Sequence, residues 1–173
     1  MWLIGPLVDA AFSILLEFGH PMLFVLFVLK GAIVGKPLPT SVFLPGYLVA
    51  ISATGRQLWL SIAVASVGYV CGQLLIYGLA RRQGLEAVQS IRWIDLSDAQ
   101  LRRADRFFSR YSGAGVVITN LVPYAGSFIM VPAGLASYPA VRLTVYALAS
   151  TVLNYVLIVW IVLGSLEYLS PLA

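Results

Sequence analysis

Two stretches of the chain, Gln57–Ala80 and Leu143–Leu166, hold no Asp, Glu, Lys, Arg or Pro. An apolar helix of about 20 residues crosses the hydrocarbon core of a bilayer, so each is predicted to be a transmembrane helix. Two further uncharged stretches have a different texture. Pro37–Gly55 contains Pro37, Pro39, Pro45 and Gly46, and Gly113–Val141 contains Pro123, Gly126, Pro132, Gly134 and Pro139, a density that breaks regular helix. Broken backbone at membrane depth survives only where protein or a water-filled cavity satisfies its polar groups, so both are expected to be re-entrant hairpins packed on the long helices. Phe18–Leu29 is short for a span, unless Lys30 snorkels to an interface and residues before Glu17 complete the helix. The first residues have no Lys or Arg before Asp9, and Asp9 and Glu17 interrupt any apolar core, so residues 1–20 are expected to stay as an interfacial or partly inserted helix rather than be cleaved as a signal peptide.

Charge changes this picture by giving it direction. Seven of the nine arginines fall between Arg81 and Arg110, which the positive-inside rule places in the cytoplasm. Within that region Ser97 and Gln100 form a capping-box pattern, and Leu101, Ala104, Phe107, Phe108 and Tyr111 share one helical face opposite Arg102, Arg103, Arg106 and Arg110. Such a helix is expected to lie on an anionic inner leaflet. The first hairpin then dips in from outside and the second from inside, so the two halves are inverted, a recurrent plan in transporters. The expected fold is an all-α integral membrane protein, a single multi-pass domain in the cytoplasmic (inner) membrane. Its parts are N-terminal helices (1–36), a first hairpin (37–55), a transmembrane helix (57–81), a cytoplasmic amphipathic region (82–111), a second hairpin (113–138) and a last transmembrane helix (140–167).

Composition supports the bilayer as solvent, with 60% of residues hydrophobic and 10% charged. The net charge of +4 is spread over few polar segments and is not interleaved with a stripe of exposed aromatics, so nucleic acid is not an expected partner. Cys71 is the one cysteine and His20 the one histidine; no metal-ligand spacing, phosphate loop or nucleophile motif occurs, so neither an enzyme nor a cofactor is expected. His20, before Pro21, reads as an interfacial cap. The Gly68-x-x-x-Gly72 spacing reads as a helix-packing signal.

These residues, in this order, resemble the DedA membrane proteins, also called the VTT or SNARE-associated Golgi protein family. The likeness is strongest over LSDAQLRRADRFFSRYSGAGVVITNLVPYAGSFIMVPAGLASYP, from Leu96 to Pro139, which is similar to the family's amphipathic helix and second hairpin. KPLPTSVFLPGYLVA, from Lys36 to Ala50, is similar to its first hairpin motif, and Gly68, Gly72, Tyr77 and Arg81-Arg82-Gln83-Gly84 resemble the helix that follows. Many members carry an acidic residue before the first hairpin, a glutamate in it, and an arginine on either side of the proline in the second. The corresponding positions here are Lys30, Ser41, Asn120 and Gly126. The resemblance therefore implies a transporter without the usual glutamate for proton coupling.

The expected site lies where the halves meet. Thr40, Ser41, Asn120, Tyr124, Ser127 and Asn154 would offer neutral donors and acceptors, and Lys30 and Lys36 positive charge, to an amphiphilic anion such as a polyprenyl phosphate or another phospholipid. Pro37, Pro39, Pro45, Gly46, Pro123, Gly126, Pro132 and Gly134 would shape the hairpins. Lys30 borders an apolar run and needs a partner, for which Glu17 is nearest in sequence. A second expectation is an accessory subunit that keeps the fold within a larger membrane complex. Membrane lipids are expected partners either way, with a larger membrane complex or a homodimer beside them; a lone monomer or homodimer would speak against the subunit role.

Overall fold

The computed structural model describes residues 12–32, 40–90, 98–121 and 126–169, and among these it is helical with no strand. A short helix α1 (12–18) leads through Gly19, at φ +62°, into α2 (His20–Ala32). There follow α3 (Thr40–Ala50), α4 (Gly55–Gln89), α5 (Asp98–Leu121), α6 (Met130–Leu135) and α7 (Ala140–Leu169). Two of these, over Gly55–Ala87 and Ala140–Ser165, are long and apolar enough to cross a membrane. Both contain the expected spans and extend beyond them. Helix α4 passes Arg81 before it kinks at Gly84, whose φ of 80° is open to glycine.

Three expectations are corrected. The amphipathic helix does not stop near Tyr111 with a hairpin beginning at Gly113: α5 is one helix to Leu121. Its amino-terminal half exposes Arg102, Arg103, Arg106 and Arg110, while its carboxyl-terminal half buries Val116 and Asn120, so it is rooted in the bundle rather than laid flat on a surface. Pro45 does not break α3, which runs helical through it; an 11-residue helix can lose one internal donor when its neighbours hold it in place. Pro132 likewise lies inside α6, a single short stretch after four turn residues. Pro37, Pro39, Pro123 and Tyr124, and Ser97 of the capping box, lie outside the described residues.

Glycine sets how closely the helices approach. A Cβ on Gly72 would collide with the Val28 carbonyl, one on Gly31 with the Tyr69 carbonyl, and one on Gly68 would come within 2.6 Å of the Phe24 carbonyl. The sequence's small-residue spacing is thus a backbone-to-backbone contact of α2 on α4. The pairs rise together along both helices, His20 with Ser61 and Val28 with Gly72, so α2 and α4 run parallel. In the same way Phe108 meets Tyr138 and Asn120 meets Ser150, so α5 and α7 run parallel. Between the two long helices the order reverses: Tyr77 bonds to the Tyr138 carbonyl while Tyr69 faces Tyr155, and α4 and α7 are antiparallel. Each short helix packs on the long helix of the other pair, α6 on α4 and α3 on α7, besides its own neighbours.

The core has two apolar clusters, one at each end of the long helices. One gathers Ile76, Tyr77, Phe108, Met130, Leu143 and Ala147. The other gathers Leu23, Phe27, Leu44, Ile62, Tyr69 and Tyr155.

The close crossing of α2 and α4 generates a test. Gly72→Ala forces a methyl against the backbone of α2 and is expected to cost about 1–3 kcal/mol, seen as a lowered melting temperature of the purified protein. Gly78→Ala, where an added Cβ meets nothing within 4 Å, is expected to be neutral or stabilising by up to about 1 kcal/mol. Equal behaviour of the two variants would contradict the packing.

Candidate functional site

A polar layer separates the two apolar clusters. Along α4 the buried face reads Ser61, Ile62, Ala65, Ser66, Tyr69 and Val70, then Gln73, then Ile76, Tyr77 and Ala80. Along α7 it reads Leu143 and Ala147, then Ser150 and Thr151, then Tyr155 and Val159. Gln73 and Thr151 therefore stand near the middle of helices long enough to span the membrane. With no water at that depth, such groups must find partners in the protein.

Asn120 is the hub. Gln73 Nε2 donates to Asn120 Oδ1 at 2.8 Å, and Asn120 Nδ2 donates to Ser150 Oγ at 3.0 Å, so one amide links α4, α5 and α7. Its main chain takes part too. Asn154 Nδ2, on α7, donates to the Asn120 carbonyl in the last described turn of α5 at 2.9 Å. The end of α2 is treated alike: Ser127 Oγ donates to the Gly31 carbonyl at 3.1 Å. Two helices thus end at the level of Gln73, and side chains of α7 and of the turn before α6 cap them.

Gly126 belongs to this layer for want of a side chain. A Cβ there would collide with Asn120 Oδ1 and lie 2.7 Å from the Tyr69 hydroxyl and 3.1 Å from Gln73 Nε2. The polar ends of three side chains, from α4 and α5, occupy the room that any other residue would need. Three buried polar atoms in or beside the layer, Gln73 Oε1, Thr151 Oγ1 and Ser66 Oγ, have no hydrogen-bond partner.

Lys30 adds the charge. Its Nζ lies 5.0 Å from the ring centroids of Tyr69 and Tyr155 and 5.3 Å from that of Phe27, and it donates to the Tyr155 hydroxyl at 3.3 Å. The expected pairing with Glu17 does not form: Glu17 is exposed, and among the described residues no carboxylate pairs with Lys30. Rings drawn from α2, α4 and α7 hold the ammonium instead, through the negative charge above an aromatic plane.

Of the residues expected from sequence, the structure brings Lys30, Asn120, Ser127 and Asn154 into one cluster, and Gly126 with them. Lys36 and Tyr124 lie outside the described residues, as do the side chains of Thr40 and Ser41. Gly46 and Gly134 pack away from the layer, Gly46 against Phe12 and Gly134 against the Tyr77 carbonyl. His20 is no simple cap: Ser61 Oγ donates to the Gln57 carbonyl, so the His20 Nε2 contact at 3.1 Å is a donation to that hydroxyl. Sequence reasoning missed Tyr69, Gln73, Ser150, Thr151 and Tyr155. Gln73 carried a usable signal, since an amide amid an uninterrupted apolar run requires a partner.

The hub makes its own forecast. Asn120→Ala takes from the Gln73 amide its acceptor on α5 and is expected to destabilise by about 1–3 kcal/mol in reversible unfolding. Combined with Gln73→Leu, which removes that amide, the loss should be clearly smaller than the sum of the two single changes. Additivity would contradict the network.

Comparison with known proteins bears on what such a layer serves. The chain is 27% identical over 148 residues to undecaprenyl phosphate transporter A of Staphylococcus aureus, covering 82% of this chain and 72% of that protein. It is 23% identical over 114 residues to the membrane protein YbfM of Bacillus subtilis, covering 64% of this chain and 68% of that protein. No family model and no solved structure matches it. With its two long apolar helices, these likenesses make the chain a membrane protein.

Proposed function

We propose that this protein is a DedA-like transporter that carries an amphiphilic anion, of the polyprenyl phosphate class, across the cytoplasmic membrane. The observation that carries this reading is the mid-helix polar layer: neutral amides and hydroxyls around one lysine, with no carboxylate among the described residues of the layer, enclosed above and below by apolar clusters. A phosphate head group requires donors and positive charge, whereas its prenyl tail requires an apolar path along the helices. The likeness to an undecaprenyl phosphate transporter supports the same substrate class.

On this reading the two parallel pairs, α2 with α4 and α5 with α7, are inverted halves. Helices α3 and α6 are the re-entrant elements, and the layer lies at the bilayer midplane where such halves meet. Exposed Trp59 and Trp160 mark the outer interface, and the arginines of α5 the cytoplasmic one. Asn120, Ser127 and Asn154 bind and orient the head group, with Gln73 as a further donor and Lys36, Thr40, Ser41 and Tyr124 completing the approach. The absence of a carboxylate from this set favours movement that is not proton-driven through a glutamate.

The test is transbilayer movement in liposomes. Purified protein is expected to speed the movement of a labelled polyprenyl phosphate, and Asn154→Leu to slow it at least tenfold while the protein remains folded by size exclusion. No acceleration by the wild-type protein, with or without ion gradients, would overturn the reading. Such a result together with copurification of a stoichiometric membrane partner would favour the accessory subunit.

A further inference from the structure

Lys30 is hard to explain as packing. A methionine of similar length would fill the same volume without bringing a charge into an apolar bundle, and lysines near helix ends ordinarily reach outward to water. Lys30 instead turns inward. Its Nζ lies within 5.3 Å of the centroids of three rings from three helices, and Tyr155 turns its hydroxyl edge to it and accepts one of its three protons. It also stands in the last turn of α2, the end of a helix that favours a cation. Aromatic rings and a hydroxyl oxygen gathered about one point make a receptor for an alkylammonium ion, and the last turn of a helix favours its charge.

We infer that Phe27, Tyr69 and Tyr155, with the carboxyl-terminal turn of α2, form a cation site in the polar layer whose occupant is the protein's own Lys30 ammonium. The site takes primary alkylammonium ions as a class, and the tether keeps it filled. Resting on the transport reading, the consequence is that the layer carries its own counter-charge for the anionic head group. No mobile cation has to enter from either side to neutralise it, and the rings hold the ammonium at the level of Gln73 and Asn120, where the head group is read. Two protons on the ammonium remain to be donated to an anion beside it.

Chemical rescue tests the site without any assay of transport. Lys30→Ala removes the propylammonium portion of the side chain, so the variant is expected to melt below the wild-type protein and to regain stability, saturably, with propylammonium chloride. Propanol should not restore it, and the wild-type protein should not respond to the amine. Equal effects of amine and alcohol, or an equal response of the wild-type protein, would overturn the site. Should the alanine variant fail to fold, the wild-type protein bears the same test, because it has two lysines, Lys30 and Lys36. With carbon-13-labelled lysine in detergent, one of the two ε-methylene signals must be displaced upfield by ring currents, must vanish in Lys30→Arg and must lose that displacement in Tyr155→Leu. Two ordinary signals would overturn the inference. In liposomes, wild-type transport should be unaffected by collapse of proton and sodium gradients, while Lys30→Ala should lose at least tenfold in rate and recover with propylammonium. Gradient-dependent transport by the wild-type protein would refute the counter-charge role while leaving the transport reading intact. Amine rescue of folding in a protein that moves no lipid would leave the cation site standing and remove the transport reading.

Discussion

A polar group at the middle of a membrane has no water to turn to, and this structure is arranged around meeting that constraint at one residue. Asn120 accepts from Gln73, donates to Ser150, and has its own carbonyl capped by Asn154. Both uses follow from α5 ending inside the bundle rather than at its surface. A helix that stops there exposes carbonyls in a medium where an unpaired one costs several kcal/mol. Helix α2 ends at the same level and is served by Ser127 from the other half of the chain. The polar layer is thus the condition for two helices to end at mid-depth, and the binding chemistry we propose uses the same groups.

Close approach is what lets so few side chains suffice. Glycines at positions 31, 68 and 72 bring the backbone of α2 onto α4, which carries the end of α2 to the level of Gln73. Gly126 then leaves room for the amide of Asn120 and the hydroxyl of Tyr69. The resemblance read from the sequence sets positions 120 and 126 against arginines carried by many DedA proteins. Here an asparagine and a glycine share a single space, so neither replacement stands alone. The positive charge of the layer comes instead from Lys30 in the first half, where rings hold it in place of a carboxylate.

Much of this was legible in the sequence, and the limits have physical causes. The two long helices follow from runs without charge or proline, and Lys30, Asn120, Ser127 and Asn154 stand out as polar residues in or beside apolar segments. Tyr69 and Tyr155 did not, because a tyrosine in an apolar helix reads the same whether its ring faces lipid or a buried ammonium. Ser150 and Thr151 looked like helix residues able to bond to their own backbone, and only the crossing of α4 on α7 makes them part of a shared layer. The partner of Lys30 was misjudged because sequence distance favoured Glu17, whereas α7 brings Tyr155 to it from 125 positions away. The extent of α5 was misjudged because the change from charged to uncharged residues near Gly113 marks where one helix enters the bundle, not where it ends.

The central claim is that an anionic lipid head group is read at this layer, beside Lys30 and Asn120. Photocrosslinking with a polyprenyl phosphate that bears a diazirine next to its phosphate tests that directly, with the labelled peptides mapped by mass spectrometry. Labels on residues 27–31, 69–73, 120, 150, 151, 154 and 155, displaced by unlabelled polyprenyl phosphate, are the predicted result. Displaceable labelling confined to the outward face of α7, around Val145, Leu153 and Trp160, would contradict it.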